Sequence, residues 1–280
     1  MNIKYDNQEL EWKECLTDID KKKHSQNWLR KDTLDFWRHQ RMLNPVKAFI
    51  HKGDRWLTIG DGRYGTEANF LLSNGVNALA TDLSDKLLKV GNKIGFIKEY
   101  KKENAESLSF NDNEFDYVLI KEAFHHFPRP WLALYEAFRV AKKGVILIEP
   151  NDQLTYKYSK RKKLIIIIYN FFKTIKGLKT NKDSYSFEEV GNFIYTINNR
   201  ELEKFLLGMH YRHIGTINLN DHYFRGIEYI NLFDKKLINK IKILKLKSIV
   251  YLKEFLYRLG FINNSLNINI LFKESPDKNL

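Results

Sequence analysis

Between residues 55 and 150 the chain alternates short apolar runs with polar, helically spaced stretches. The runs are "WLTI" at 56–59, "NALATD" at 77–82, "FDYVLIK" at 115–121 and "GVILIEP" at 144–150. Each is rich in Val, Ile, Leu or Tyr and too short for a helix, and each is separated from the next by a helical segment. That is the pattern of βαβ units and predicts a parallel sheet covered on both faces. Upstream, "NWLRKDTLDFWRHQRML" predicts one or two helices closed by "NPVKAF", where the proline suits a helix start. Beyond Pro150 the rhythm breaks and then resumes with a helix at 199–208 and strands at 213–219 and 265–273. The expected fold class is α/β: a doubly wound, mostly parallel sheet with helical insertions.

The pattern divides the chain into N-terminal helices (1–50), a core (51–150), an insertion (151–198), the remainder of the core (199–224 and 263–274) and a second insertion (225–262). With 280 residues, 43% of them hydrophobic and 29% charged, this is the composition of an ordinary soluble domain. The N-terminal stretch lacks an apolar signal-like run, and no run of about 18 apolar residues occurs, so a cytoplasmic protein is expected. The single cysteine, Cys15, excludes an internal disulfide and a thiolate metal cluster; no metal is expected.

Charge changes this picture in two places. The net charge is +13, yet it resides in residues 156–180, with eight Lys or Arg and no acid, and residues 235–258, with eight against the one acid Glu254. The rest of the chain is close to neutral. Both segments interleave Lys with Ile and Leu, unlike a groove that tracks a nucleic-acid strand. Two readings follow: a cap over the site whose apolar face packs inward and whose lysines face water, which is the reading preferred here, or peripheral contact with anionic lipid.

The candidate chemistry begins at "LTIGDGRYGTEA", residues 57–68. Gly60, Gly62 and Gly65 follow a strand at the spacing G-x-G-x-x-G and precede a helix, presenting free backbone N–H groups and a positive helix end to a ligand. Asp82 ends the next strand, where a carboxylate can accept both hydroxyls of a ribose. This geometry suits any adenosine-bearing cofactor. The nicotinamide alternative draws on Tyr156 and Lys160, a Tyr-x-x-x-Lys pair, but lacks the TGxxxGxG turn of short-chain dehydrogenases.

Residues 56–150 resemble the core of class I S-adenosylmethionine-dependent methyltransferases of the type 11 kind. Beyond the glycine turn, "ENAESLSFNDNEFDYVLI" at 103–120 is similar to that family's adenine-binding segment and fourth strand, and "EAFHHFPRPWLALYEAFRVAKKGVILIEP" at 122–150 to the helix and strand that follow. The resemblance implies S-adenosyl-L-methionine as cofactor, held by Gly60, Asp61, Gly62, Arg63, Gly65, Asp82, Asn104 and Ala105. Two family acids are replaced, by Thr58 and Asn104. Asn104 still offers an amide to adenine. Asp61 is expected to supply the charge missing at 58, and Arg63 to pair with the methionine carboxylate.

For a hydroxyl acceptor the candidate general bases are His126 and His125, just past the fourth strand, and His222 beside Asp221. The resemblance argues against DNA: the Asn/Asp-Pro-Pro-aromatic motif of base-amine methyltransferases is absent from "KEAFHHF", and Cys15 lies outside the core. Tyr185, Phe193, Tyr195 and Arg200 are candidates to line an acceptor pocket. "EEVGNFIYTINNRE" is similar to methyltransferase-like proteins of bacterial polysaccharide gene sets, which implies a small-molecule or glycan acceptor. A non-catalytic binding protein on the same fold is the alternative of a different class.

Overall fold

The computed structural model describes residues 16–152 and 193–275. Strands β1 (Arg55–Ile59), β2 (Asn77–Asp82), β3 (Glu99–Lys102), β4 (Phe115–Lys121), β5 (Ala141–Pro150), β6 (His213–Leu219) and β7 (Leu266–Phe272) form one sheet in the order β3-β2-β1-β4-β5-β7-β6. All neighbours pair in parallel except β7, which runs antiparallel to both β5 and β6. Strand order reverses between β1 and β4. The crevice at their C-terminal ends is where open α/β sheets bind ligands.

Period-two alternation sorts the apolar residues onto the two faces. Leu57, Ile59, Val118, Ile120, Val145 and Leu147 face a layer built by α5 (Pro130–Val140) and α6 (Asn199–Gly208). Trp56, Tyr117, Leu119, Ile146 and Ile148 face the other layer, with α3 (Thr66–Ser73), α4 (Lys86–Lys93) and the 3-10 turn Asn44–Phe49. Ahead of that turn, α1 (Ile19–Gln26) and α2 (Leu34–Leu43) cross the crevice end. Thr33 caps α2 by accepting the Phe36 N–H at 3.0 Å.

The strands expected at 56–59, 77–82, 115–121 and 144–150 are all present, and the helix at 199–208 and strand at 213–219 have those bounds. Strand β3 was not anticipated. Cys15, Tyr156, Lys160, Tyr185 and the whole of the first basic segment, 156–180, lie outside the described residues.

The second basic segment forms α7 (Leu237–Arg258), and here the cap expectation is corrected. Its inward face is Ile243, Leu246 and Val250, of which Ile243 and Leu246 pack with Leu34, Ile227 and Ile230. The apolar side chains at 237, 241, 244, 252 and 255 point outward and are exposed.

Candidate active site

Strand β1 runs into Gly60, whose φ of +74° is disfavoured for a residue with a Cβ; a Cβ there would also overlap the Ala123 Cβ beyond β4. Gly65, at φ +81°, begins α3, and a Cβ on it would meet Ile97 Cγ2 at 2.7 Å. Between them Asp61 turns inward. Its carboxylate accepts the Glu67 and Ala68 N–H groups at 3.1 and 2.9 Å and the Thr58 hydroxyl at 2.8 Å. Asp61 therefore caps α3 and is 1% exposed, which corrects the expectation that it touches the ligand. It also answers the substitution at 58: the carboxylate missing there sits three residues on, hydrogen-bonded to the threonine that replaced it. Burial, and then the neighbouring Glu67, push the Asp61 carboxyl well above its ordinary range, against the pull of the Ala68 N–H and Thr58.

A cavity of about 180 Å³ opens beside this turn, and Gly60, Arg63, Asp82, Asn104 and Ala105 line it together with Trp28, His126 and Phe127. Five of the eight expected cofactor residues thus meet in one place; Asp61, Gly62 and Gly65 shape the turn without lining the cavity. Asp82 accepts the Ser84 N–H at 2.9 Å, which fixes its carboxylate at the end of β2. The Asn104 carbonyl takes the Glu106 N–H at 3.0 Å, leaving its second lone pair and its NH₂ to a ligand. The Arg63 guanidinium stacks 4.8 Å over the Trp28 ring, closing the cavity from the side of α1.

The histidines separate. His126 lines the cavity. His125 is buried, its Nδ1 hydrogen-bonded to Glu149, whose other oxygen accepts the Ala123 and Phe124 N–H groups at 2.9 and 2.8 Å. It holds the turn after β4 and does not face the cavity. His222 lines neither this cavity nor the adjoining one, and burial followed by Lys253 depresses its pKa. Its neighbour Asp221 is the residue that enters the site. Tyr195 is also turned away: its hydroxyl accepts the Trp131 indole N–H at 3.0 Å and its N–H donates to the His125 carbonyl.

What the sequence did not indicate is a dense charged cluster at the end of β4. Lys121, with its side chain only 3% exposed, lies 3.1 Å from Glu67 and 3.2 Å from Glu122. Although burial opposes ionisation, Lys121 holds Glu67 down to about 2 and, with His39 and Arg38, holds Glu122 well below the carboxylate range. Arg38 contacts Asp35 at 2.5 Å, Asp221 at 2.7 Å and Glu122 at 3.7 Å. Arg38, with Asp35, Asp221 and Glu122, walls a second cavity, about 350 Å³, which shares Trp28, Arg63 and Glu122 with the first and adds His24, Asp35, Arg38, Asp221, Tyr223 and Glu228. Tyr223 donates to Glu228 Oε1 at 2.8 Å, and burial and that carboxylate raise the phenol to about 12, so it stays a donor. Glu228 Oε2 is buried with no hydrogen-bond partner. A polar residue just after a strand, as Glu122 is, was the one local signal available for this cluster.

Residues 57–148 match a family model described as a methyltransferase domain. They contain the glycine turn, Asp82, Asn104 and His126. The match spans about a third of the chain and makes residues 57–148 similar to a methyltransferase domain. Among curated proteins, the methyltransferase domain is similar to the ubiquinone/menaquinone biosynthesis C-methyltransferase UbiE of Zymomonas mobilis, 38% identical over 88 residues, 30% of this chain and 36% of that protein. The UbiE of Psychromonas ingrahamii is 27% identical over 197 residues, 65% of this chain and 71% of that protein. Against the Zymomonas mobilis and Pasteurella multocida proteins the chain spans about a third to a half of the relative's length. Among solved structures, a SAM-dependent methyltransferase of Thermotoga maritima has a TM-score of 0.51 at 16% identity, covering 94% of this chain and 100% of that one. The YcgJ protein of Bacillus subtilis has a TM-score of 0.50 at 17% identity, covering 85% and 100%. These likenesses establish the fold.

S-adenosylmethionine is the cofactor that the methyltransferase-domain match implies, and the residues present fit it. A glycine cradle that a Cβ would fill, a carboxylate at the end of β2 for the ribose diol and an amide for the adenine edge are each in place. Arg63 and Lys121 are the cationic side chains on the cavity wall.

Proposed function

We propose that this chain transfers a methyl group from S-adenosylmethionine to a hydroxyl of a sugar, a glycan precursor or another small polar metabolite. The observation that carries the acceptor class is the second cavity. It adjoins the cofactor cavity through Trp28, Arg63 and Glu122, and its remaining wall is almost entirely polar. An unpartnered, buried carboxylate oxygen on Glu228 is costly unless a ligand hydrogen reaches it. Trp28 adds an aromatic face of the kind on which a sugar ring stacks.

The cofactor brings a methyl on a sulfonium whose charge disappears as the C–S bond breaks and the new C–O bond forms. The protein's part is to align the acceptor, exclude water and receive the hydroxyl proton. Glu122 touches both cavities but is held so firmly ionised by Lys121, Arg38 and His39 that it is a poor base. His126, on the cofactor cavity wall, is the base assigned here. Glu228 Oε2 accepts a hydrogen from the acceptor, and the Tyr223 hydroxyl, whose own hydrogen goes to Glu228 Oε1, offers it a lone pair. The names of the curated relatives support a second reading, transfer to carbon, although the matched family domain at 57–148 does not include the residues that wall the second cavity from α1, α2 and the 221–228 loop.

Tritium transfer from labelled cofactor into a metabolite extract tests both. We expect label in a small polar product. His126→Ala should lower turnover about a hundredfold with unchanged binding of S-adenosylhomocysteine, and Glu228→Gln should raise KM for the purified acceptor about tenfold with little change in kcat. Label confined to an apolar aromatic product would overturn the hydroxyl reading in favour of carbon.

A further inference from the structure

Helix α7 is amphipathic with its apolar face turned to solvent. At 100° per residue, Leu237, Ile241, Leu244, Leu252 and Phe255 fall on one stripe, opposite the buried Leu246 and Val250. The stripe residues are 73%, 52%, 69%, 56% and 57% exposed. From Leu237 to Phe255 the stripe is about 27 Å long, on a helix of 22 residues. Exposed Lys235, Lys236, Lys240, Lys242 and Lys245 surround its first half. The helix has one acid, Glu254, and it points inward, accepting from Arg41 at 3.0 Å and from the Asn220 N–H at 2.8 Å. The inward face thus packs on the protein, while the outward face joins a strip of large apolar side chains to exposed lysines, of which Lys236 and Lys240 have Asp234 near them.

We propose that the outer face of α7 docks on a bilayer carrying anionic headgroups, with the apolar stripe in the interfacial layer and the lysines against the headgroups. Charge complementarity selects this occupant. Residues 156–180 of the same chain hold eight Lys or Arg and no acid, so laying that segment on α7 would set like charges together. A second copy of α7 would do the same. A nucleic-acid backbone would satisfy the lysines but leave the aliphatic stripe in water. No described helix is long and apolar enough to cross a membrane, which makes α7 a surface helix and not a span. The inward face of α7 also ties to the site: Lys253 donates to the Asp221 carbonyl at 3.0 Å, so docking fixes the helix that holds one wall of the second cavity.

The test is co-sedimentation of the full chain with vesicles of phosphatidylcholine alone and of an equal mixture with phosphatidylglycerol. Binding is expected to the mixed vesicles only and to weaken in high salt. The double variant Leu244→Glu, Phe255→Glu should bind at least about tenfold less, with wild-type melting temperature and S-adenosylhomocysteine affinity, since both positions are exposed and outside the cavities. Wild-type protein left in the supernatant, a double variant that sediments as well as wild type, or a dimer in solution that the double variant converts to monomer would each overturn the proposal.

Discussion

Asp82→Ala is expected to abolish useful cofactor binding while leaving the fold intact. Asp82 ends β2 at the cavity mouth, is 7% exposed and is steered by the Ser84 N–H. Two hydroxyls of a ribose donating to its carboxylate are charge-assisted bonds, each contributing about 1.5–3 kcal/mol. Losing both should weaken S-adenosylhomocysteine by roughly a hundredfold to ten-thousandfold in calorimetry. Against the fold, the substitution removes the acceptor of the Ser84 N–H, at a cost of about 1 kcal/mol for that bond, a small shift in melting temperature for a chain of this length. Asp82→Asn keeps one carbonyl acceptor and should fall between wild type and alanine. Affinity within about twofold of wild type for Asp82→Ala would show that the carboxylate does not hold the sugar, and with it the placement of the cofactor in this cavity would fail.

How far the sequence led depends on whether the physics was local. Strands β1, β2, β4 and β5 were legible because a two-sided sheet demands unbroken apolar runs, and "WLTI" and "GVILI" supply them. Strand β3 was not, because "EYKK" pairs with β2 alone at the sheet edge and three of its four residues are exposed, so nothing selects for apolar side chains. Gly60 and Asp82 were found because each sits at the crevice end of a legible strand, whereas Asn104 and Ala105 follow the unanticipated β3 and were found only through the family resemblance of residues 103–120. Asp61 was misassigned because capping α3 and binding a ligand need the same residue type at the same turn, and only the orientation of the carboxylate separates them. The face of α7 was misread for a related reason: a period of 3.6 says that the apolar residues share a side, not which side meets the protein. The second cavity left no trace in the sequence, since Arg38 meets Asp221 across 183 positions and Trp28 and Glu228 come from opposite ends of the chain.

Lys121→Met should be the most destabilising of these changes. Lys121 is the cation between two carboxylates, the buried Glu67 in the first turn of α3 and the partly buried Glu122 just past β4. Removing one partner of a buried pair typically costs about 3–5 kcal/mol, because the remaining charges lose compensation without regaining water. For a chain of this size that corresponds to a fall in melting temperature of roughly 6–20 °C at neutral pH. The pH dependence separates this cause from lost packing. In the wild type the Glu67 carboxyl is lowered from 4.5 to about 2, so its stabilisation is complete above about pH 4.5 and drains away as the pH falls through the interval down to about 2. In the variant the same carboxyl has burial acting on it without Lys121 and is raised instead, so its penalty is full near neutrality and disappears on acidification. The two melting curves should therefore lie furthest apart near pH 7 and converge towards pH 4. A gap that stays constant across that range would assign the loss to the cavity left by the lysine stem, and equal melting temperatures at pH 7 would remove the buried cluster as a structural element of the crevice.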